Sequence, residues 1–400
     1  MSEVSRRRAI ALALTGSTQI GTLAGGRSVP SEISASASQG FFDVRDYGAK
    51  GDGVTDDTAS VQAAIDAIPS FTKPGVSRGG VLFFPTGVYL LKSQLLISRK
   101  PISIVGEGKA HSILKWDAKR GGIHFKGSGV GSNDITVFDI RQMTLTTASK
   151  DGGGVALRLE WPVMKANPQK KMSISQVEIR GWDQYSKADT ENYWENAIWI
   201  TNPGGLDISH TDIMGKMHSS GHGIRCDSPP GSSPIRHFLS NLYVLGFETG
   251  IGWEGPNEGI YLNNFEIVNC RTGFSAGGGG PVYHLSNGHF DCWLNGASFQ
   301  GNNEVKLTAI AFYHTPKLRG KPRLPGNLLS LEGCRRFTVF GCSFYGHTPN
   351  PPDLDAQNGI IVKDSSGIIM GNHFDAIRDK AVLFVNGRDQ CQTSGNRPNL

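Results

Sequence analysis

Residues 42–69 read FDVRDYGAKGDGVTDDTASVQAAIDAIP, and residues 79–91 read GGVLFFPTGVYLL. Gly48, Gly51 and Gly53 crowd one loop, where glycine lets the backbone turn tightly. Asp56-Asp57-Thr58 offers a cap and first-turn acids to the helix that follows, from Ala59 to about Ile68. Val61, Ala64, Ile65 and Ile68 share one face of it, and Pro69 stands at its end. After Gly79-Gly80, the run Val81 to Phe84 predicts a buried strand and Pro85-Thr86-Gly87 its turn. Capping and turn formation account for Asp43, Asp52, Asp56 and Asp57.

Beyond residue 68 no long amphipathic pattern appears. Short apolar runs alternate with Gly, Asn, Asp and Pro, as in Ile102–Val105, Ile113–Trp116 and Ile123–Phe125. The 52 glycines in 400 residues exceed an average share of about 7% without any Gly-X-Y period. Many short turns between short strands explain them. Aligning the chain on itself reveals the period. Asn241-Leu-Tyr-Val, Asn264-Phe-Glu-Ile and Asn287-Gly-His-Phe fall 23 residues apart, twice over. Gln176-Val-Glu-Ile and His210-Thr-Asp-Ile fit the template upstream; Gly341-Cys-Ser-Phe and Gly371-Asn-His-Phe, 30 apart, extend it downstream. The reading is an all-β solenoid in one domain, residues 41–400.

The opening stretch resembles that of the pectate-lyase-like superfamily of right-handed parallel β-helices. That superfamily includes rhamnogalacturonase- and epimerase-like proteins, polygalacturonase relatives and phage tailspike-type depolymerases. The resemblance implies a single-stranded right-handed parallel β-helix, with the glycine loop and short helix capping its N-terminal end and GGVLFFPTGVY forming its first rung. It further implies a polysaccharide as partner.

In a parallel stack with rungs about 4.8 Å apart, strand alternation sorts inward from outward positions. Ile179, Ile213, Val244, Ile267 and Phe290 form an inward column. The residues before them, Glu178, Asp212, Tyr243, Glu266 and His289, form an outward stripe of catalytic candidates, with Glu178 at its substrate-binding end. Asn241, Asn264 and Asn287 should stack at one turn and hydrogen-bond along the axis, as asparagine ladders do. A second column stacks Asp227 on Glu254, with Arg225 beside Asp227 and with Glu160 and Thr201 below. The insertion 181–196, GWDQYSKADTENYWEN, mixes Trp182, Tyr185, Tyr193 and Trp194 with acids and amides, a composition suited to the apolar faces and polar rims of sugars. Two further insertions carry His218 and His222 (215–223), and a basic group from Lys317 to Arg323 (315–325).

Two chemistries fit. Hydrolysis uses two carboxylates about 5 Å apart for retention or about 6.5–9.5 Å for inversion. Asp227 with Glu254, or Glu178 with Asp212, suits the shorter spacing; Asp212 with Glu266 suits the longer. Elimination needs a uronate, a base for its C5 proton and a group that neutralises the acid function; Tyr243 among Asp212, Glu266 and His289 suits the base. Gly221-His222-Gly223 is similar to the Gly-His-Gly of polygalacturonases, but the paired aspartates and Arg-Ile-Lys of that family are absent. So is the Asp-Pro-His-Glu of alginate epimerases. Elimination on an acidic polysaccharide is therefore the leading expectation, with hydrolysis and non-catalytic carbohydrate binding as alternatives.

The net charge of +5 is modest and its basic residues are scattered, which speaks against nucleic acid. Cofactor motifs and zinc spacings are absent. Ser5-Arg6-Arg7-Arg8 before the weakly apolar run Ala9–Leu14 resembles a twin-arginine export signal over residues 1–37, with cleavage near Ala37 and a periplasmic or secreted destination. That run is too short and polar to insert in a membrane. The six cysteines, at 226, 270, 292, 334, 342 and 391, are expected to pack in the core.

Overall fold

In the computed structural model, residues 40–70, 79–127, 137–163, 171–185, 190–217, 221–232, 234–278, 280, 282–314, 326–346 and 356–398 are described. The expected export segment, His218 and the basic insertion 315–325 lie outside them.

From Val137 to His314 each coil contributes a short strand to an 11-stranded parallel sheet and a longer one to a 19-stranded parallel sheet, and the coils before and after supply the larger sheet with two shorter strands each. Thr249–Glu254 pairs with His222–Asp227 before it and Thr272–Gly277 after it. Ile260–Val268 likewise pairs with His237–Leu245 and Tyr283–Cys292. The result is the parallel β-helix that the spacing predicts. Among the described residues there is one α-helix, Thr58–Ala67, whose Val61, Ala64 and Ile65 are buried over the first coils.

The cap differs from expectation in its chemistry. Asp57 makes no side-chain cap. Its two carboxylate oxygens accept the backbone N–H groups of Lys50 (2.7 Å) and Gly51 (3.0 Å), pinning the glycine loop instead. Asp56 receives the Thr58 backbone N–H at 3.0 Å. Gly51 has φ +64, and a Cβ there would lie 3.0 Å from the buried Tyr89 ring, so both conformation and space demand glycine.

The long strands bend at one residue per coil. Gln142, Gln176, His210, Asn241, Asn264, Asn287 and Ala309 all have φ between 51° and 58°, and Gly341, Gly371 and Gly395 continue the column at 63–66°. Asparagine tolerates this left-handed conformation better than most residues. The expected ladder of amide hydrogen bonds reduces to one long contact, Asn264 Nδ2 donating to Asn241 Oδ1 at 3.5 Å. The asparagines are there for the backbone they adopt.

Inside, Ile179, Ile213, Val244, Ile267 and Phe290 are fully buried. Phe290, Phe312, Phe344 and Phe374 stack on successive coils with centroids 5.2, 4.7 and 4.8 Å apart. Such pairs contribute about 0.5–1.5 kcal/mol each beyond area burial. All six cysteines are free thiols, five of them buried.

Candidate functional site

The outward stripe assembles in register. Glu178 pairs with Asp212, Asp212 with Tyr243, Tyr243 with Glu266, and Glu266 with His289. The column continues through Ala311, Ser343 and His373. Between this column and the left-handed corner runs an open groove of about 680 Å³, lined by Asp212, Tyr243, Glu266, His289, Ala311 and Ser343 among others.

Burial together with the neighbouring carboxylates of Glu266 and Asp212 raises the Tyr243 phenol above its ordinary value, so it keeps its proton. The sequence suggested Tyr243 as a base, a role that a raised phenol pKa makes harder at neutral pH. His289 packs edge-on against Tyr313 at 4.8 Å, and its Nε2 is buried without a hydrogen-bond partner.

Sequence reasoning missed Lys109. It stands in the loop between strands Ile102–Gly106 and Ser112–Trp116, and its Nζ reaches Asp212 Oδ2 at 2.6 Å. No local pattern marks it, because its partner is 103 residues away. Thr144 steadies the loop by bridging the Lys109 carbonyl and the Glu178 carboxylate.

Other candidates settle differently. Glu178 is only 13% exposed and pairs with the buried Arg180 at 3.0 Å, which makes it a support beneath the groove rather than a free substrate contact. Trp194 was expected on a sugar platform. It is fully buried, edge-on to Trp116 at 5.6 Å, because the strand Asn196–Thr201 follows at once and draws it into the core. Trp182 is 37% exposed, with Lys115 Nζ 4.0 Å from its ring centroid. The Tyr185 side chain lies outside the described residues.

On the 11-stranded sheet Asp227 pairs in register with Thr201 and Glu254, and Thr201 with Glu160. Asp227 accepts from Arg225 Nε (3.0 Å) and Trp199 Nε1 (2.6 Å), while Arg158 and Arg225 sandwich the Trp199 ring at 3.7 and 4.3 Å. Both carboxylate oxygens of Asp227 are thus engaged. Glu254 is pushed up by burial and by Asp227. His222 opens the same strand, on the 11-stranded sheet and outside the groove's lining, and burial followed by Arg225 lowers its pKa. Among the described residues no three His, Cys, Asp or Glu side chains gather as a metal site. No helix there is long and apolar enough to cross a membrane.

Comparison with known proteins follows the same line. The chain is 36% identical to mannuronan C5-epimerase AlgE1 of Azotobacter vinelandii over 283 residues, 65% of this chain and 18% of that protein. It is 37% identical to alginate lyase 7 of the same organism over 109 residues, 25% of this chain and 12% of that protein. The chain therefore spans less than a fifth of the length of these curated relatives. Bacteriophage CBA120 tailspike protein 3 superposes with a TM-score of 0.52 at 12% identity, covering 89% of this chain and 61% of that one, a likeness of fold alone. Residues 41–297 match the family model described as rhamnogalacturonase A/epimerase, pectate lyase-like, and the chain belongs to that family.

Proposed function

We propose that this chain acts on a uronate-containing polysaccharide and cleaves it by β-elimination in the Asp212–Ser343 groove. The observation that carries this reading is the Tyr243 phenol set between Asp212 and Glu266, with Lys109 Nζ 2.6 Å from Asp212. A uronate carboxylate must be neutralised before its C5 proton can leave. Lys109 supplies that charge. Asp212, 2.6 Å from Lys109 Nζ, takes the C5 proton, the C4–C5 double bond forms as the C4–O bond breaks, and Tyr243, on the next rung, gives its proton to the departing oxygen. A lyase and an epimerase among the relatives support a uronate polymer as substrate.

Hydrolysis by Asp227 and Glu254 is the second reading. Adjacent rungs give about the 5 Å that retention needs, and Glu254, with its raised pKa, suits a proton donor. The engaged oxygens of Asp227 weigh against it.

The test is incubation with a panel of uronate polysaccharides, following the ultraviolet absorbance of unsaturated ends together with reducing ends. Absorbance with new reducing ends supports elimination. Reducing ends without absorbance overturn it in favour of hydrolysis, and inversion at C5 without cleavage overturns it in favour of epimerisation. We also propose twin-arginine export, tested by replacing Arg6 and Arg7 with lysine and assaying for cytoplasmic retention.

A further inference from the structure

Along the groove the side chains change character. Asp212, Tyr243, Glu266 and His289 are followed in the same column by Ala311 and then Ser343. The left-handed corner changes at the same two rungs, from Asn241, Asn264 and Asn287 to Ala309 and Gly341. Both borders of the groove therefore shrink to small residues together. A Cβ added at Gly341 would find no atom within 4 Å, so the space above it is open. Only the far side is tall. Tyr313 and Tyr345 stand two residues beyond Ala311 and Ser343 on the same outer face, and their rings stack at 4.7 Å and 15°. Tyr313 also packs against His289.

We propose that this depression, floored by Ala311 and Ser343 and walled by Tyr313 and Tyr345, is a binding subsite for one pyranose ring of the polysaccharide chain. The inference rests on the elimination reading for the kind of chain that the groove carries, but not for its own chemistry. A sugar ring needs a space free of side chains, apolar edges for its C–H groups and hydroxyls for its rim. The stacked tyrosines supply ring edges and two phenol groups one rung apart, and the stack holds both side chains in place. Ring contacts run from His289 through Tyr313 to Tyr345, so a chain with one residue at His289 reaches the depression with the next.

The test uses the full chain and uronate oligosaccharides of increasing defined length, with binding measured by calorimetry and cleavage by absorbance. Ser343→Trp fills the depression, Tyr345→Ala removes half of its wall, and Tyr345→Phe keeps the stack without the hydroxyl. Ser343→Trp and Tyr345→Ala should each raise KM and Kd about tenfold for oligomers long enough to span the depression. For the shortest cleavable oligomer, Tyr345→Ala should leave KM and kcat as in the wild type. Thermal melting of each variant confirms that it folds. Tyr345→Phe should fall between wild type and Tyr345→Ala. Equal effects on short and long oligomers, or none on either, overturn the subsite. Length-dependent binding lost in the variants, with no cleavage by the wild type, upholds the subsite and overturns the elimination reading.

Discussion

Lys109 Nζ lies 2.6 Å from Asp212 Oδ2, although 103 residues of chain separate them. Asp212 lines the groove. The two side chains are 33% and 41% exposed, so solvent screens the attraction and the pair contributes under about 1 kcal/mol to stability. Lys109→Met should therefore shift the melting midpoint by less than about 2 °C. If Lys109 neutralises the substrate carboxylate, the same change lowers kcat/KM about 10²-fold, the usual loss for a charge-stabilising donor. Calorimetry and initial rates on one preparation separate the two effects.

Tyr243→Phe removes the proton donor and keeps the ring. A loss of about 10²–10⁴-fold in kcat with little change in KM is expected. Its pKa is raised above 10, so the donor is present throughout neutral pH and is lost only as pH climbs through the raised value. The alkaline limb of kcat/KM in the wild type should lie above pH 10, and in Tyr243→Phe that limb should vanish. An alkaline limb unchanged in the variant would assign the donor to another group.

Glu254 provides a test on the other sheet. Its folded-state pKa lies above 4.5, so folding favours its protonated form. That contribution is complete below pH 4.5 and is lost as pH rises through the raised value. Glu254→Gln, neutral at every pH, should melt higher than wild type at pH 7 and level with it below pH 4.5. Under elimination its activity is retained; under hydrolysis by Asp227 and Glu254 it is abolished.

Gly288 is a packing constraint within the groove. A Cβ there would lie 2.1 Å from the Phe265 ring, which is itself packed on Phe290 at 4.9 Å. Gly288→Ala should destabilise the fold by about 1–3 kcal/mol in denaturant unfolding. Adding Phe265→Leu should recover part of that loss, because the two positions share one space.

The repeat was legible because the left-handed corner favours asparagine, and Asn241, Asn264 and Asn287 mark three coils at constant spacing. From them the register of Asp212 through His289 followed by counting. The coils bent at Gln142 and Ala309 obey the same geometry with φ 58° and 53°, yet neither residue type advertises it, and both went unread. Lys109 was illegible for a different reason: it joins the groove by folding, from a loop whose neighbours in sequence say nothing of Asp212. Trp194 misled because composition speaks of an aromatic loop while packing against Trp116 decides which rings stay outside. The upward shift of the Tyr243 phenol comes first from its burial, which alternation alone does not give.

The corner demands a backbone conformation and leaves the side chain open. Asn264→Gly should therefore stay close to wild type, while Asn264→Val should lose about 1–2 kcal/mol from the strained left-handed β-branched residue, read by thermal melting.

The same corner has an evolutionary consequence. Gln, His, Asn, Ala and Gly all occupy it on successive coils, and from Asn241 to Gly341 it forms one rim of the groove. Each rim position can change its chemistry without shifting the strands on either side. The solenoid thus separates inheritance of the frame from inheritance of taste: a lineage can retune what the groove grips, one coil at a time, while every rung keeps its place.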